Sequence, residues 1–186
     1  MKITQTQKNF SKFLSYVLRH QPGSIGIKLD TQGWTEIATL MNQAAKHGKR
    51  FKLEDLHEAV RTSDKQRFAI SEDGLRIRAN QGHSVAVDLA LPLTVPPDVL
   101  YHGTASRFIA SIMKEGLRPG SRHHVHLSAN TTTARTVGAR HGAPVILQVM
   151  AKQMHEDGIQ FFVSANGVWL CDNVLPKYLI RMNDGN

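Results

Sequence analysis

Arginine and histidine side chains occur in three short segments whose composition suits the binding of phosphate. Arg19-His20 closes an amphipathic stretch, Arg67 lies in Lys65-Gln66-Arg67-Phe68, and Arg122 opens Arg122-His123-His124-Val125-His126-Leu127-Ser128. A guanidinium group offers a planar fork of donors that matches the oxygens of a phosphate group. A histidine beside such a group can move a proton near neutral pH. These segments therefore predict a site for a phosphorylated substrate.

The histidine-rich segment allows three interpretations. If residues 122–128 form an extended strand, Arg122, His124, His126 and Ser128 project to one side and could line a nucleotide pocket. A zinc site is the second interpretation, but only His124 and His126 share a face, and no cysteine or carboxylate follows at ligand spacing. A surface strand without ligand is the third. We therefore predict no metal.

The overall composition is typical of a globular protein with a basic surface. The 186 residues are 41% hydrophobic and 20% charged, and the formal net charge is +8. Such a charge favours polyanions, although a merely basic soluble protein would have it too. The single cysteine, Cys171, excludes a disulfide within the chain and indicates a reducing compartment. The first ten residues lack a signal-peptide pattern, and no window is apolar enough to span a membrane, so we expect a cytoplasmic protein.

The first half of the chain predicts helices followed by a hairpin. Apolar side chains at helical spacing predict a helix over 10–18 that Gln21-Pro22-Gly23 ends. A second helix is predicted from about Thr35 and a third from Leu53 to Ser63. Residues 67–70 and 75–78 alternate as two strands around a turn at 71–74, with Arg76 and Arg78 facing away from the hairpin core. This order is typical of a winged helix.

The proline-rich stretch 91–97 predicts a boundary, with a first lobe at 1–92, a linker at 93–96 and a second lobe at 97–186. In the second lobe a strand is predicted to end at Gly103, within Tyr101-His102-Gly103-Thr104, where glycine would let a ligand approach the backbone. The remaining predicted elements are helices at 106–114 and 131–140 and strands at 125–128, 145–149, 161–163 and 168–171. The fold class is therefore α+β. Cys171, Trp34 and Trp169 are predicted to be packed, and no P-loop or Rossmann motif is present.

Several short motifs in order make the chain resemble the bacterial RNA 2′-phosphotransferases, NAD-dependent enzymes related to the tRNA splicing phosphotransferase. The resemblance extends from about Ser11 to Leu179. It rests on segments 11–20, Gly33-Trp34, Ser63 to Phe68, Gln81-Gly82-His83-Ser84, 101–104, 122–128 and Asn166 to Leu170.

The resemblance implies a winged-helix RNA-binding lobe followed by an ADP-ribosyltransferase-like lobe for NAD. It implies catalytic roles for Arg19, His20, Arg67 and Arg122. The implied NAD pocket comprises His102, Gly103, Thr104, His126 and Ser128. The implied substrates are NAD, consumed as a co-substrate without a metal, and an RNA with a 2′-phosphate. Neither a membrane nor an obligate protein partner is implied.

The implied reaction has two steps, ADP-ribosylation of the RNA 2′-phosphate with loss of nicotinamide, then transesterification. The products are 2′-hydroxyl RNA and ADP-ribose 1″,2″-cyclic phosphate. One alternative is an ADP-ribosyltransferase that acts on a terminal phosphate of RNA or DNA. Another is a winged-helix regulator whose second half only senses NAD, but such a sensor has no need of Arg122 and His20 together.

Overall fold

Two compact units make up the chain, residues 1–90 and residues 91–186. The structure is a computed structural model, and it describes residues 5–63 and 66–182. Each unit has its own cluster of buried apolar side chains. In the described residues, six α-helices accompany three small antiparallel sheets, which agrees with the predicted α+β class.

Three helices and a three-stranded sheet form the first unit. They are α1 (Gln5–Arg19), β1 (Thr35–Glu36), α2 (Ile37–Lys46), α3 (Leu53–Arg61), β2 (Phe68–Ile70) and β3 (Arg76–Ala79), with a 3₁₀ helix at Pro22–Ile25. Helix α1 buries Leu14, Val17 and Leu18 as its periodicity predicted. It ends where Pro22 follows, because proline cannot continue the hydrogen-bond ladder. The predicted start of the second helix at Thr35 was two residues early, since Thr35–Glu36 pairs as a strand with β3.

The hairpin predicted at 67–78 is confirmed. Strands β2 and β3 pair antiparallel with Phe68 opposite Ala79 and Ile70 opposite Ile77, and β1 lies on the other side of β3. Gly74 adopts a φ of 73° in the turn. The Asp73 carboxylate accepts hydrogen bonds from the Ser71 hydroxyl and the Leu75 N–H, and these bonds lower the pKa of Asp73. A carboxylate that satisfies turn donors fixes the hairpin locally.

Two three-stranded sheets and three helices form the second unit. They are β4 (Leu100–Ala105), α4 (Ile109–Glu115), β5 (Val125–Leu127), α5 (Thr131–Gly138), β6 (Pro144–Val149), α6 (Ala151–Glu156), β7 (Phe162–Val163), β8 (Trp169–Cys171) and β9 (Leu179–Arg181). Strand orders are β4-β6-β9 and β5-β8-β7. Two 3₁₀ helices lie at Ser106–Phe108 and Pro176–Tyr178. The predicted late hairpin is confirmed as the β7–β8 pair.

The strand that was predicted to end at Gly103 continues to Ala105, so that prediction was wrong. Helix α5 packs directly against the glycine. A Cβ added at Gly103 would lie 1.7 Å from the Ala134 carbonyl oxygen. A Cβ added at Gly138 would in turn lie 2.8 Å from the Thr104 carbonyl oxygen. A glycine is needed at this place in the strand, because only a residue without a Cβ lets the backbone of α5 approach so closely.

The segment predicted as a linker hydrogen-bonds within the second unit. Leu93 forms a β-bridge with Phe162, and the Thr94 N–H donates to the Phe161 carbonyl at 2.9 Å. The division between the units falls between Ala90 and Leu91. Cys171 is buried, as predicted, and burial raises the pKa of its thiol to about 12.

Candidate functional site

Arg19 and His20 are positioned by the end of helix α1. A cation is favoured at this helix terminus because the last carbonyl groups carry a partial negative charge. The Arg19 guanidinium donates from Nη2 to the Arg67 carbonyl at 3.3 Å and lies 5.8 Å from the centre of the Phe68 ring. The end of α1 is thereby joined to the residue that precedes β2. Two of the predicted catalytic arginines are thus brought together.

Ser84 orients His20. The His20 Nδ1 lies 2.9 Å from the Ser84 hydroxyl, and the Ser84 N–H donates to the Arg19 carbonyl, also at 2.9 Å. The serine therefore contacts both members of the Arg-His pair, one through its side chain and the other through its backbone. A histidine held at Nδ1 has a fixed ring direction, and an imidazole is the side chain best suited to proton transfer near neutral pH. Ser84 belongs to the motif Gln81-Gly82-His83-Ser84 but was not predicted as a site residue.

Arg67 lies at the start of the hairpin and is held by its backbone. Its N–H donates to the Ser63 hydroxyl at 3.2 Å, and its carbonyl accepts the Asn80 N–H at 2.9 Å. The Asn80 side-chain amide donates to the Gln66 carbonyl at 2.5 Å, and Gln66 has a φ of 40°. A non-glycine residue in this region is held there by its surroundings, and such residues cluster at functional sites. Asp64 and Lys65, which belong to the same motif, lie outside the described residues.

Arg122 and His126 meet in the second unit. Val125 and Leu127 are buried in the core, so the alternation of β5 directs His126 to the other face. The Nη1 of Arg122 lies 3.4 Å from the Nδ1 of His126. Because a guanidinium group can only donate, Nδ1 must accept and the ring proton of His126 resides on Nε2. The Arg122 guanidinium has further N–H donors beyond this contact, and such donors are what an anion requires.

His102 is a neutral histidine in a cationic environment. Its Nδ1 lies 3.1 Å from the His126 carbonyl, so Nδ1 carries the hydrogen and Nε2 bears a lone pair. Burial lowers the pKa of His102 most, and repulsion from Arg122 and His141 lowers it further. The His126 carbonyl opposes the shift. An unprotonated Nε2 can accept a hydrogen bond from a hydroxyl group, such as that of a ribose.

Arg140 adds a second guanidinium group to the surroundings of Arg122. Desolvation lowers the pKa of Arg122, and repulsion from Arg140 lowers it further. Among the described residues, no carboxylate oxygen lies within 4.0 Å of the Arg122 guanidinium. Like charges gathered without a carboxylate are costly unless an anion binds them. Arg140 and His141 were not predicted as site residues, because they follow α5 and carry no local motif.

The other predicted pocket residues, Gly103, Thr104 and Ser128, are placed by contacts of β4 with α5 and β5. Thr104 is buried in β4, and Gly103 beside it contacts α5. Ser128 exchanges two backbone hydrogen bonds with Tyr101, at 2.9 and 2.7 Å, which join the end of β5 to β4. These three residues hold the strands from which His102 and His126 project.

His124 does not join His126 in a metal site. Its Nε2 lies 3.8 Å from an Asp172 carboxylate oxygen, and its ring lies 5.5 Å from that of Phe162. Over residues 5–63 and 66–182, no group of three or more His, Cys, Asp and Glu side chains is arranged to hold a metal ion.

No described helix is long and apolar enough to cross a membrane.

The predicted site residues are thus divided between the units. Arg19, His20 and Arg67 belong to the first unit, joined by the Arg19–Arg67 contact and by Ser84. Arg122 belongs to the second unit together with the predicted pocket residues His102, Gly103, Thr104, His126 and Ser128.

Comparison with known proteins identifies close relatives over nearly the whole chain. Residues 5–173 match the family model described as RNA 2′-phosphotransferase, Tpt1 / KptA family. A protein of Rhodopirellula baltica is 54% identical over 180 residues, which cover 96% of this chain and 98% of the relative. A protein of Agrobacterium fabrum is 57% identical over 176 residues, 95% of each chain. One of Acaryochloris marina is 53% identical over 179 residues, 96% of this chain and 98% of the relative. All three are named as probable RNA 2′-phosphotransferases.

Proposed function

The chain belongs to the RNA 2′-phosphotransferase family, Tpt1 / KptA, and we propose that it transfers an internal RNA 2′-phosphate to NAD. The proposed products are 2′-hydroxyl RNA, nicotinamide and ADP-ribose 1″,2″-cyclic phosphate. NAD is a substrate here, because it is consumed. The observation that carries this proposal beyond the family is the meeting of Arg122 with His126, whose carbonyl in turn accepts a hydrogen bond from the His102 Nδ1.

The residues of the second unit fit a dinucleotide. Its pyrophosphate is an anion that Arg140 could hold, since guanidinium groups bind phosphate oxygens through two parallel bonds. Arg122 is proposed to stabilise the transferred phosphate in the second step. The Nε2 of His102 could accept a hydrogen bond from a ribose hydroxyl, because Nδ1 already donates to the His126 carbonyl. We propose an ADP-ribosyltransferase-like fold for this unit.

The first unit is proposed to be a winged helix that holds the RNA. Its three helices precede the β2–β3 hairpin, and β1 adds a third strand to that hairpin. Arg19 and Arg67 are proposed to hold the 2′-phosphate. The contact between the Arg19 guanidinium and the Arg67 carbonyl supports this assignment, because it keeps the two residues together before substrate binds.

The two proposed steps make different demands on the protein. In the first step the RNA 2′-phosphate attacks the anomeric carbon of the nicotinamide ribose, and nicotinamide leaves. The attacking oxygen is already anionic, so no general base is required. In the second step the ribose O2″ attacks phosphorus and the RNA 2′-oxygen leaves. Charge then develops on the phosphate oxygens, where arginines stabilise it most.

One proton must move during the second step, from the ribose O2″ to the departing RNA 2′-oxygen. His20 is the titratable member of the proposed catalytic set, and its ring is held by Ser84 at Nδ1. We assign His20 the transfer of this proton. General acid–base catalysis of this kind contributes about a hundredfold to ten-thousandfold in rate.

A direct test uses three oligoribonucleotides of one sequence. One carries an internal 2′-phosphate, one a terminal phosphate and one no added phosphate, and each is incubated with the protein and NAD. We expect nicotinamide and the cyclic product only with the internal 2′-phosphate. ADP-ribose that accumulates on the terminal phosphate, with the 2′-phosphate left in place, would overturn the proposal and favour a terminal ADP-ribosyltransferase.

A further inference from the structure

Two arginines of the hairpin stack on one tryptophan. The Arg78 guanidinium lies 4.6 Å from the centre of the Trp34 ring, and that of Arg76 lies 5.6 Å from it. We call these three residues the Trp34 stack. Trp34 is half-buried rather than packed into the core, contrary to its prediction. Stacking on an aromatic face restrains a guanidinium group while its edges remain available as donors.

The turn before β1 fixes the position of the tryptophan. The Asp30 carboxylate oxygen Oδ1 accepts the Gln32 N–H at 2.9 Å and the Trp34 N–H at 2.8 Å. Gly33 lies between them with a φ of 82°, a backbone conformation that favours glycine. The stack is therefore built on an ordered turn and needs no ligand to form.

The register of the hairpin places the Trp34 stack on the same face as Arg67. Phe68, Ile77 and Ala79 point into the core, so their neighbours in sequence point away from it. The Asn80 N–H donates to the Arg67 carbonyl, which continues the pairing by one residue beyond Phe68 and Ala79. Arg78 is then the diagonal neighbour of Arg67, about 7–8 Å away across the two strands.

Arg78 has donors that are not used by any acceptor within residues 5–63 and 66–182. Among the described residues, its guanidinium makes one hydrogen bond, from Nη1 to the Gln32 carbonyl at the long distance of 3.5 Å. Its Nε is buried without an acceptor among these residues, so a ligand would bind through the Nη atoms. The nearest acid, Asp30, pairs instead with Arg76 at 3.7 Å and supplies its other oxygen to the turn. An arginine has five N–H donors, and phosphate oxygens are the acceptors that match them best.

We propose that the Trp34 stack binds the RNA backbone beside the reacting 2′-phosphate, with Arg78 on a neighbouring phosphodiester. This inference rests on the proposed function, because it takes Arg67 as the residue that holds the 2′-phosphate. One diagonal step along the hairpin then separates the reacting phosphate from the flanking one. Contacts of this kind fix the register of the nucleic acid without reading its sequence.

The test compares two substrates that differ in their flanking phosphates. The long substrate is an oligoribonucleotide with an internal 2′-phosphate, and the short one is a nucleoside 2′-phosphate without any phosphodiester. For Arg78→Gln, the ratio of kcat/KM on the long substrate to that on the short one should fall about tenfold. Arg76→Gln should lower the same ratio less, because Asp30 already pairs with Arg76.

The salt dependence of RNA binding gives a second readout. Loss of one phosphate contact should reduce the slope of log affinity against log salt by about 0.7 for single-stranded RNA. Arg61→Gln is the matched control, since it removes the same charge from an exposed side chain on α3 that pairs with Glu58. It should change neither the slope nor the substrate ratio.

The outcomes separate this inference from the proposed function. If the wild-type protein acts on neither substrate, the proposed function fails. The informative case is a wild-type protein that acts on both substrates. If Arg78→Gln then leaves the ratio of the two kcat/KM values unchanged, the Trp34 stack does not bind flanking RNA and the inference is overturned. Arg78→Lys keeps the charge without the fork and should recover only part of the ratio. A melting curve of each variant confirms that it is folded.

Discussion

Replacing Gly103 by alanine should displace helix α5 and destabilise the second unit. The added Cβ would lie 1.7 Å from the Ala134 carbonyl oxygen, 2.5 Å from the Ala134 carbonyl carbon and 3.0 Å from the Gly138 nitrogen. All three neighbours are backbone atoms, so no side chain can rotate away. The helix must therefore retreat from β4 by more than an ångström, or the strand must bend.

The size of the effect follows from the cost of overpacking a close interface. Insertion of a methyl group into a well-packed site costs about 1–3 kcal/mol, and we expect the upper end because the clash is with backbone. In a chain of this length each kcal/mol lowers the melting temperature by about 2–4 °C, so Gly103→Ala should melt about 6–12 °C below the wild type.

Thermal unfolding followed by circular dichroism measures this shift. Gly138→Ala should cost less, because its Cβ would lie 2.8 Å from the Thr104 carbonyl oxygen rather than 1.7 Å from Ala134. Gly23→Ala is the matched control, since nothing lies within 4 Å of its added Cβ. If Gly103→Ala melts within about a degree of Gly23→Ala, the close contact between α5 and β4 is not present in solution.

Four further results are expected. Arg122→Ala should slow the second step on the order of a hundredfold, so that ADP-ribosylated 2′-phospho-RNA accumulates and is seen on a gel. Arg122→Lys should recover little of the rate. Product formed at the normal rate, or no release of nicotinamide, would refute this expectation. Ser84→Ala should lower kcat and alter its pH profile without lowering the melting temperature, because His20 loses its Nδ1 partner; an unchanged profile would remove Ser84 from the site. The lowered pKa of His102 means that the folded protein binds its proton less readily than the unfolded chain, so the stability it contributes is present above pH 6.5 and is lost below it. His102→Gln should therefore reduce the fall in melting temperature on acidification, whereas the exposed control His155→Gln should not. Turnover should survive excess chelator, and loss that a divalent ion restores would contradict a reaction that arginines alone support.

Local patterns in the sequence predicted the elements of the first unit well. The burial of Leu14, Val17 and Leu18 follows from helical periodicity, which depends only on neighbours within two turns. The hairpin follows from the Asp73-Gly74 turn between two alternating stretches. Both signals lie within the segment they specify, so no knowledge of the rest of the chain was needed.

Gly103 and Trp34 could not be predicted in this way. A glycine after an apolar run resembles the end of a strand. Gly103 instead lies within β4, where helix α5 packs closely against it, and the residues it meets there, Ala134 and Gly138, lie more than 30 positions along the chain. Tryptophan is usually buried, and the two arginines that lie over Trp34 come from a different strand. Tertiary contacts decided both positions, and sequence periodicity does not report such contacts.

The residue types of the candidate site could be predicted, but their contacts could not. Arginine and histidine drew attention to phosphate chemistry because of their donors and pKa values. The Arg19–Arg67 contact joins residues 48 positions apart, and the Ser84–His20 contact joins residues 64 apart. Arg140 enters the cluster of Arg122 through the chain that follows α5, where no motif marks it.

Transfer of a labelled phosphate tests the central claim most directly. An oligoribonucleotide is prepared with a radioactive 2′-phosphate and incubated with the protein and NAD, and the label and the released nicotinamide are quantified together. The account predicts that the label leaves the RNA, appears in ADP-ribose 1″,2″-cyclic phosphate and matches the nicotinamide mole for mole. Label released as inorganic phosphate, or label that stays on the RNA while the wild-type protein consumes NAD to completion, would contradict it.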